Sequence, residues 1–222
     1  MTNRGFVIVA FTCLVIVILS HIDLTAGPEA PSRLAHTLQI GIECCKWLII
    51  SMVLMSFVEH QVHCQLMHHR NFLSKRKKSF QRIYEAHVLD HHQHYSKEFC
   101  DQPVAPGADR EIRLNVHRAP IKALPFAVLI APISLLGAVI FLSVVIFHHW
   151  IWNKVHLEMH KPESKFFSTW SVYRFLARHH YLHHRYQGKN FNVVFPFADY
   201  VFGTIASATA DDVEQMKRLG FV

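Results

Sequence analysis

The chain lacks the paired cysteines that would build a scaffold. Its five cysteines are Cys13, Cys44, Cys45, Cys64 and Cys100; no C-x-x-C occurs and two of them are adjacent. Three lie inside apolar stretches, which argues against a disulfide framework or a zinc ribbon and for buried free thiols. Acidic residues are scarce relative to basic ones, 16 against 23, for a net charge of +7. Yet there is no stripe of interleaved basic and aromatic residues, so the excess does not point to nucleic acid. Internal repeats and low-complexity tracts are also absent. At 222 residues the length suits one domain with small attachments.

What the chain does have is hydrophobicity in blocks, separated by polar, basic segments, the pattern of a membrane protein. The first block is residues 5–20. At about 1.5 Å per residue it reaches ~24 Å, short of a ~30 Å hydrocarbon core but workable with flanking help. A signal peptide has this length too, but no clear small-x-small site follows before Ala26, so a retained span is expected. The second block, residues 38–58, is long enough to span; Glu43 and Lys46, three apart, are placed to pair on one helix face. The run "SKRKKSFQR" follows at 74–82 and belongs in the cytoplasm, so the second helix ends inside. That run also matches a lipid-headgroup patch.

The third block, residues 120–152, contains Pro125 and Pro132. It is too long for one upright span and short for two. Histidine clusters lie on both sides of it, and a single site built from both requires an even number of crossings between them. A cramped hairpin turning near 132–137 is therefore expected, its second arm running on as a helix through "HHWIWNKVHLEMH". After a break at "KPESK", "FFSTWSVYRFLARHHYLHH" reads as an amphipathic helix, with Trp170, Tyr173, Arg174 and Arg178 suited to a membrane interface. The tail beyond Gly203 is polar.

Histidine is the remaining excess. Of 19 histidines, eight lie between His60 and His94 and eight between His148 and His184. "HVLDHH" holds His87, His91 and His92; "HLEMH" holds His156 and His160; "HYLHH" holds His180, His183 and His184. Residues three or four apart share a helix face, and neutral imidazole suits zinc, iron, copper and nickel. His63 and His68, in "HCQLMH", are five apart. On an ideal α-helix that is ~140° of rotation, so either a helix end lies between them or they serve different metals. Ten imidazoles exceed what one ion can bind, so two ions are the natural arithmetic. No carboxylate recurs at the ligand spacing, which disfavours a Glu-x-x-His di-iron bundle. Glu59, Asp90, Glu158 and Asp199 are placed instead to hold imidazole N–H groups in one tautomer. His60, His69, His94, His148, His149 and His179 are expected off the metals, and His21, His36 and His117 on the surface.

These motifs, "EHQVHCQLMH", "HVLDHH", "HLEMH" and "HYLHH", together with the ending "NFNVVFPFADYVFGT", resemble the fatty acid hydroxylase superfamily, which includes sterol desaturases. The resemblance covers about residues 40–204. It implies an all-α integral membrane helical bundle of about four crossings, the last two a short hairpin. A cytosolic helical cap would carry a histidine-rich dimetal site. Residues 1–37 would be an N-terminal span and non-cytoplasmic loop, 38–204 the catalytic domain and 205–222 a tail. It implies an enzyme: O2-dependent hydroxylation of a lipid, a fatty acyl chain or sterol. The ten histidines named in the boxes would be the metal ligands, with iron the first expectation and zinc the other, and no catalytic residue beyond them.

The first box has His63-Cys64 where the family has His-Arg, and the second has three residues before its histidine pair where many members have two. No His-Pro-Gly-Gly heme signature occurs, so electrons would come from a separate donor protein. The membrane would be the bacterial inner membrane or the endoplasmic reticulum, with the site on its cytoplasmic face. The rivals are a carotenoid-type hydroxylase or desaturase, and a non-enzymatic membrane metal-binding or transport protein. Transporters place acids at membrane depth, and the third block has none between Ala123 and Phe147.

Overall fold

The computed structural model describes residues 33–100 and 114–222. The first apolar block, Cys13 and His21 lie outside the described residues. Among the described residues every regular element is a helix. They fall into two compact units, the first taking 33–54 and 120–145, the second 55–100, 114–119 and 146–222.

The first unit is built from apolar helix. Helix α1, Arg33–Val62, runs for 30 residues, about 45 Å, and its first 22 belong here. Glu43 and Lys46 pair at 2.6 Å along it. The third block is two helices, α4 (Ala119–Ile130) and α5 (Leu135–His160), α4 carrying Pro125 in its interior. The break between them has local causes. Pro132 has no N–H to continue α4, and the Ser134 hydroxyl accepts from Gly137 N at 2.9 Å, capping the start of α5. Gly137 is needed for packing: a Cβ there would lie 2.4–2.7 Å from the Trp47 ring. The stretches 35–67 and 135–160 are helices long and apolar enough to cross a membrane.

The second unit holds the histidines. Where α1 ends, the backbone widens into a π-helical turn, His63–Met67. Short helices α2 (Phe72–Arg76) and α3 (Lys78–Tyr84) follow, and α3 passes into a second π-helical stretch, Glu85–His92. After 113 come a 3₁₀ turn (Val116–Arg118), the end of α5, α6 (Ser171–Arg185), α7 (Phe197–Phe202) and α8 (Ala210–Arg218). Phe99, Val155, Met159, Tyr173, Leu176, Ala177, Met216 and Phe221 form the apolar core. Two sequence expectations are corrected here. The amphipathic helix begins at Ser171 rather than near 166, and Tyr173 is buried in that core instead of lying at an interface. The polar tail is also structural. Thr209 and Asp212 cap α8 reciprocally, and Met216 and Phe221 reach the core. The four described cysteines are free, as expected, but none is fully buried.

Candidate metal centre

The ten box histidines converge as two groups of five. His63, His68, His87, His92 and His183 form one; His91, His156, His160, His180 and His184 form the other. Within each, one nitrogen per ring lies within 4.8 Å of all the others. Eight of the ten are buried, and only His68 and His184 are partly exposed.

Backbone geometry explains the membership. In an α-helix residues four apart stack, and the pairs His156/His160 on α5 and His180/His184 on α6 both serve the second group. In a π-helix the repeat is one residue wider. His63/His68 and His87/His92, each five apart, lie on the two π-helical stretches and both serve the first group. The turn at His63 is closed by His68 N donating to His63 O at 3.1 Å. A helix end does lie between the two, at Met67, and both rings join one group, so separate metals are not needed to reconcile the spacing. The two remaining ligands cross over. His183 leaves α6 for the first group, and His91 leaves the π-helical stretch for the second.

Ring orientation is set by carbonyl oxygens. Nδ1 of His183 faces Lys189 O at 2.7 Å, Nδ1 of His160 faces Phe99 O at 2.8 Å, and Nδ1 of His63 faces Phe191 O. A carbonyl only accepts, so these Nδ1 atoms carry the proton and the Nε2 atoms are bare lone pairs. The Nε2 contacts are short. His87 lies 2.8 Å from His63 and 3.1 Å from both His68 and His92; His183 lies 3.0 Å from His68 and 3.1 Å from His92. In the second group His180 lies 2.8 Å from His156 and 3.0 Å from His160, and His91 lies 3.1 Å from His184. One imidazole nitrogen offers a single proton or a single lone pair, so His87 cannot hydrogen-bond three neighbours at once. A shared cation satisfies all of them.

The cluster is also held neutral. Burial pushes His87, His91, His92, His180 and His184 well below the ordinary histidine range, and neighbouring imidazoles push the same way. Burial lowers His183 to about 4, against the raising effects of Lys189 O and the Asp199 charge. Burial, then His183 and His69, lower His68 to about 3. Neutral imidazole is the ligating form, so the donor set fits a metal ion at neutral pH.

The four carboxylates expected to hold ligand imidazoles are placed otherwise. Glu59 accepts from Val193 N at 2.9 Å and Asn192 Nδ2 at 3.1 Å, and sits 3.2 Å from His148. Asp199 accepts from Phe191 N and Asn192 N at 2.8 Å, from the Thr204 hydroxyl at 2.6 Å, and from His179 at 3.0 Å. Burial raises the Asp199 carboxyl, but the bonds from His179, Thr204 and Asn192 outweigh it and leave it below its ordinary value. Glu158 caps the break after α5, accepting from Glu163 N, Lys165 N and the Ser168 hydroxyl. Asp90 is exposed. The work assigned to carboxylates is done by the carbonyls of Phe99, Lys189 and Phe191, which no side-chain motif announces. Glu59 and Asp199 act one step further out, fixing the loop that carries two of those carbonyls. His148, His179 and His60 serve the same loop, His60 through Thr204 at 3.0 Å, and His69 is exposed.

Comparison of the chain with protein-family models, with curated proteins and with solved structures finds no match.

Proposed function

We propose that the chain is an integral membrane dimetal oxygenase that hydroxylates a C–H bond of a lipid, a fatty acyl chain or sterol. The observation that carries this reading is the convergence of ten neutral imidazoles into two groups of five, on a chain with two helices apolar enough to span. Only 33% and 39% of the most apolar windows of those helices is buried. A core helix of a water-soluble protein buries most of such a window, so these favour lipid contact. The basic run at 74–82 favours a cytoplasmic position for the site.

The nitrogen spacing bears on the metal. At bond lengths of about 2.0–2.1 Å, ligands at right angles lie ~2.9 Å apart, whereas tetrahedral ligands lie ~3.4 Å apart. The observed nearest contacts are 2.8–3.1 Å. Five imidazole nitrogens per group would exceed the four ligands of a closed tetrahedral site and would suit an ion that takes more. That favours iron over a closed tetrahedral zinc site. Bound iron supplies the O2 reduction and hydrogen abstraction that an unactivated C–H bond demands. The protein's residues do the rest. The carbonyls of Phe99, Lys189 and Phe191 keep each Nε2 aimed, Glu59 and Asp199 keep two of those carbonyls in place, and burial keeps protons off the rings. Electrons come from a separate donor protein.

The test is metal content per chain in protein purified in detergent without a polyhistidine tag. The wild type should carry about two ions, iron when iron is supplied. The His183→Ala/His184→Ala variant, which removes one ligand from each group, should lose them. Under 18O2, in cell membranes that retain the electron donor, the wild type should add labelled oxygen to a membrane lipid and the variant should not. Metal-free wild type would end the dimetal reading; loaded protein with no labelled product would leave the metal and remove the oxygenase.

A further inference from the structure

The basic segment between the first two histidine boxes supplies none of the ten converging imidazoles. From Arg70 to Arg82 there are six cationic residues and no acid. All six are exposed, and two of them line a cavity of about 200 Å3 bounded by Arg70, Ser74, Lys75, Gln81 and Tyr84. Every one of these side chains is a hydrogen-bond donor, and none is an acid. None of the lining side chains offers a cation a counter-charge.

The walls are fixed by interactions that leave the two charges free. Asn71 accepts from Leu73 N and Ser74 N at 2.9 and 3.0 Å, capping α2, and its amide donates to Gln65 O at 2.6 Å. Buried Ser74 donates to Asn71 O at 2.9 Å. Gln81 donates one amide proton to Glu85 at 2.6 Å, keeping the other. The Arg70 guanidinium lies 5.2 Å from the centre of the Tyr84 ring, which orients it. Arg76, by contrast, stacks on Phe72 at 4.0 Å and does not line the cavity. Among the described residues neither Arg70 nor Lys75 has an acidic partner.

We propose that Arg70 and Lys75, with Gln81 and Tyr84, form a binding site for a phosphate group. A guanidinium, an ammonium, a phenol and an amide gathered around one small space match an oxyanion with several acceptor oxygens. The ligand is either the headgroup phosphate of a phospholipid or a soluble phosphate. This site stands apart from the metal proposal, since none of its residues is a histidine and its occupancy can be read in metal-free protein.

The experiment uses the full chain in nanodiscs. Inorganic phosphate is titrated into discs of a neutral, phosphate-free glycolipid, and phosphatidic acid is offered separately at increasing mole fraction, with retained lipid read by native mass spectrometry. Three proteins are compared: the wild type, Arg70→Gln/Lys75→Gln, and Lys77→Gln/Lys78→Gln, which removes the same charge outside the cavity. Binding of either probe should weaken roughly tenfold or more in the first variant and change little in the second. Tyr84→Phe, which keeps the ring under Arg70 and removes one donor, should weaken binding by a smaller factor. Phosphate binding identifies a soluble ligand; phosphatidic acid alone identifies a headgroup. Equal loss in the two double variants means a diffuse basic surface, and no binding by the wild type means no site; either result overturns the proposal.

Discussion

An imidazole whose Nδ1 proton is committed to a carbonyl has only its Nε2 lone pair left to offer, and in His183 that lone pair is buried among four others. Such a ring resists protonation in the fold and accepts it readily in the unfolded chain. The metal-stripped protein should therefore lose stability in acid. His183 and His68 have folded values of about 4 and about 3 against 6.5 for the free residue. A lowered histidine value means stability is fully present above 6.5 and drains away as pH falls toward the folded value. Each such ring contributes a slope of ~1.4 kcal/mol per pH unit across that window. Chemical denaturation of the stripped protein from pH 7.5 to 5 should show a steep fall beginning near 6.5. Replacing His183 by Gln should make the fall shallower, and a slope unchanged by that substitution would remove His183 from the account. At this scale the candidate ligands are legible in the sequence, because histidine is the side chain that offers a neutral nitrogen at physiological pH and it recurs here at short spacings. The roles of Glu59 and Asp199 are not. Glu59 serves Asn192 and Val193, more than 130 positions away, and no local spacing encodes that.

Helix type decides which histidines share a group. Pairs four apart work on α5 and α6, and pairs five apart work only because the backbone at His63–Met67 and Glu85–His92 is π-helical. A rotation of ~100° per residue implies a helix end between His63 and His68 or separate metals, and the helix does end at Met67, but the π-helical turn that brings the two rings together has no side-chain signature. A π-helix adds one residue to a turn, which predicts opposite outcomes for two small changes. Deleting exposed Gln65 should return the turn to α-helical bonding with its two histidines now four apart and still stacked; the irregular stretch at residues 68–71, just before α2, can absorb the lost residue. Inserting an alanine after Gln65 should place the pair six apart and split it. Metal analysis should find the deletion close to wild type and the insertion short by about one ion per chain. If both lose metal equally, the π-helical geometry is incidental. The helices themselves were easier to foresee. The second and third apolar blocks appear as α1 and the α4–α5 pair, and the break at Pro132–Ser134 falls where proline and a serine cap put it.

At the scale of the histidine-bearing unit, the crossing ligands matter most. The π-helical stretch gives His87 and His92 to one group and His91 to the other, while α6 gives His180 and His184 to the second and His183 to the first. Neither group can be completed without both segments. Adjacent His91 and His92 diverge by ~100° on a regular helix, but no local spacing says that two distant segments exchange ligands. The exchange has a thermodynamic consequence. Filling either group fixes the rotamers and backbone of both segments, and those same segments supply three of the five ligands of the other group. The second ion then meets ligands whose ordering cost has been met already, which is positive cooperativity without any larger rearrangement. Cobalt(II) titrated into the stripped protein and followed by native mass spectrometry reads this directly. Two independent equal sites would leave about half the chains carrying one ion at half-saturation. The linked pair should show clearly fewer, with apo and two-ion chains predominating. His91→Ala should abolish that pattern and leave a single-ion species, because it damages the second group while sparing all five ligands of the first. A half-loaded population at or above the independent value in the wild type would mean that the shared segments do not couple the two groups.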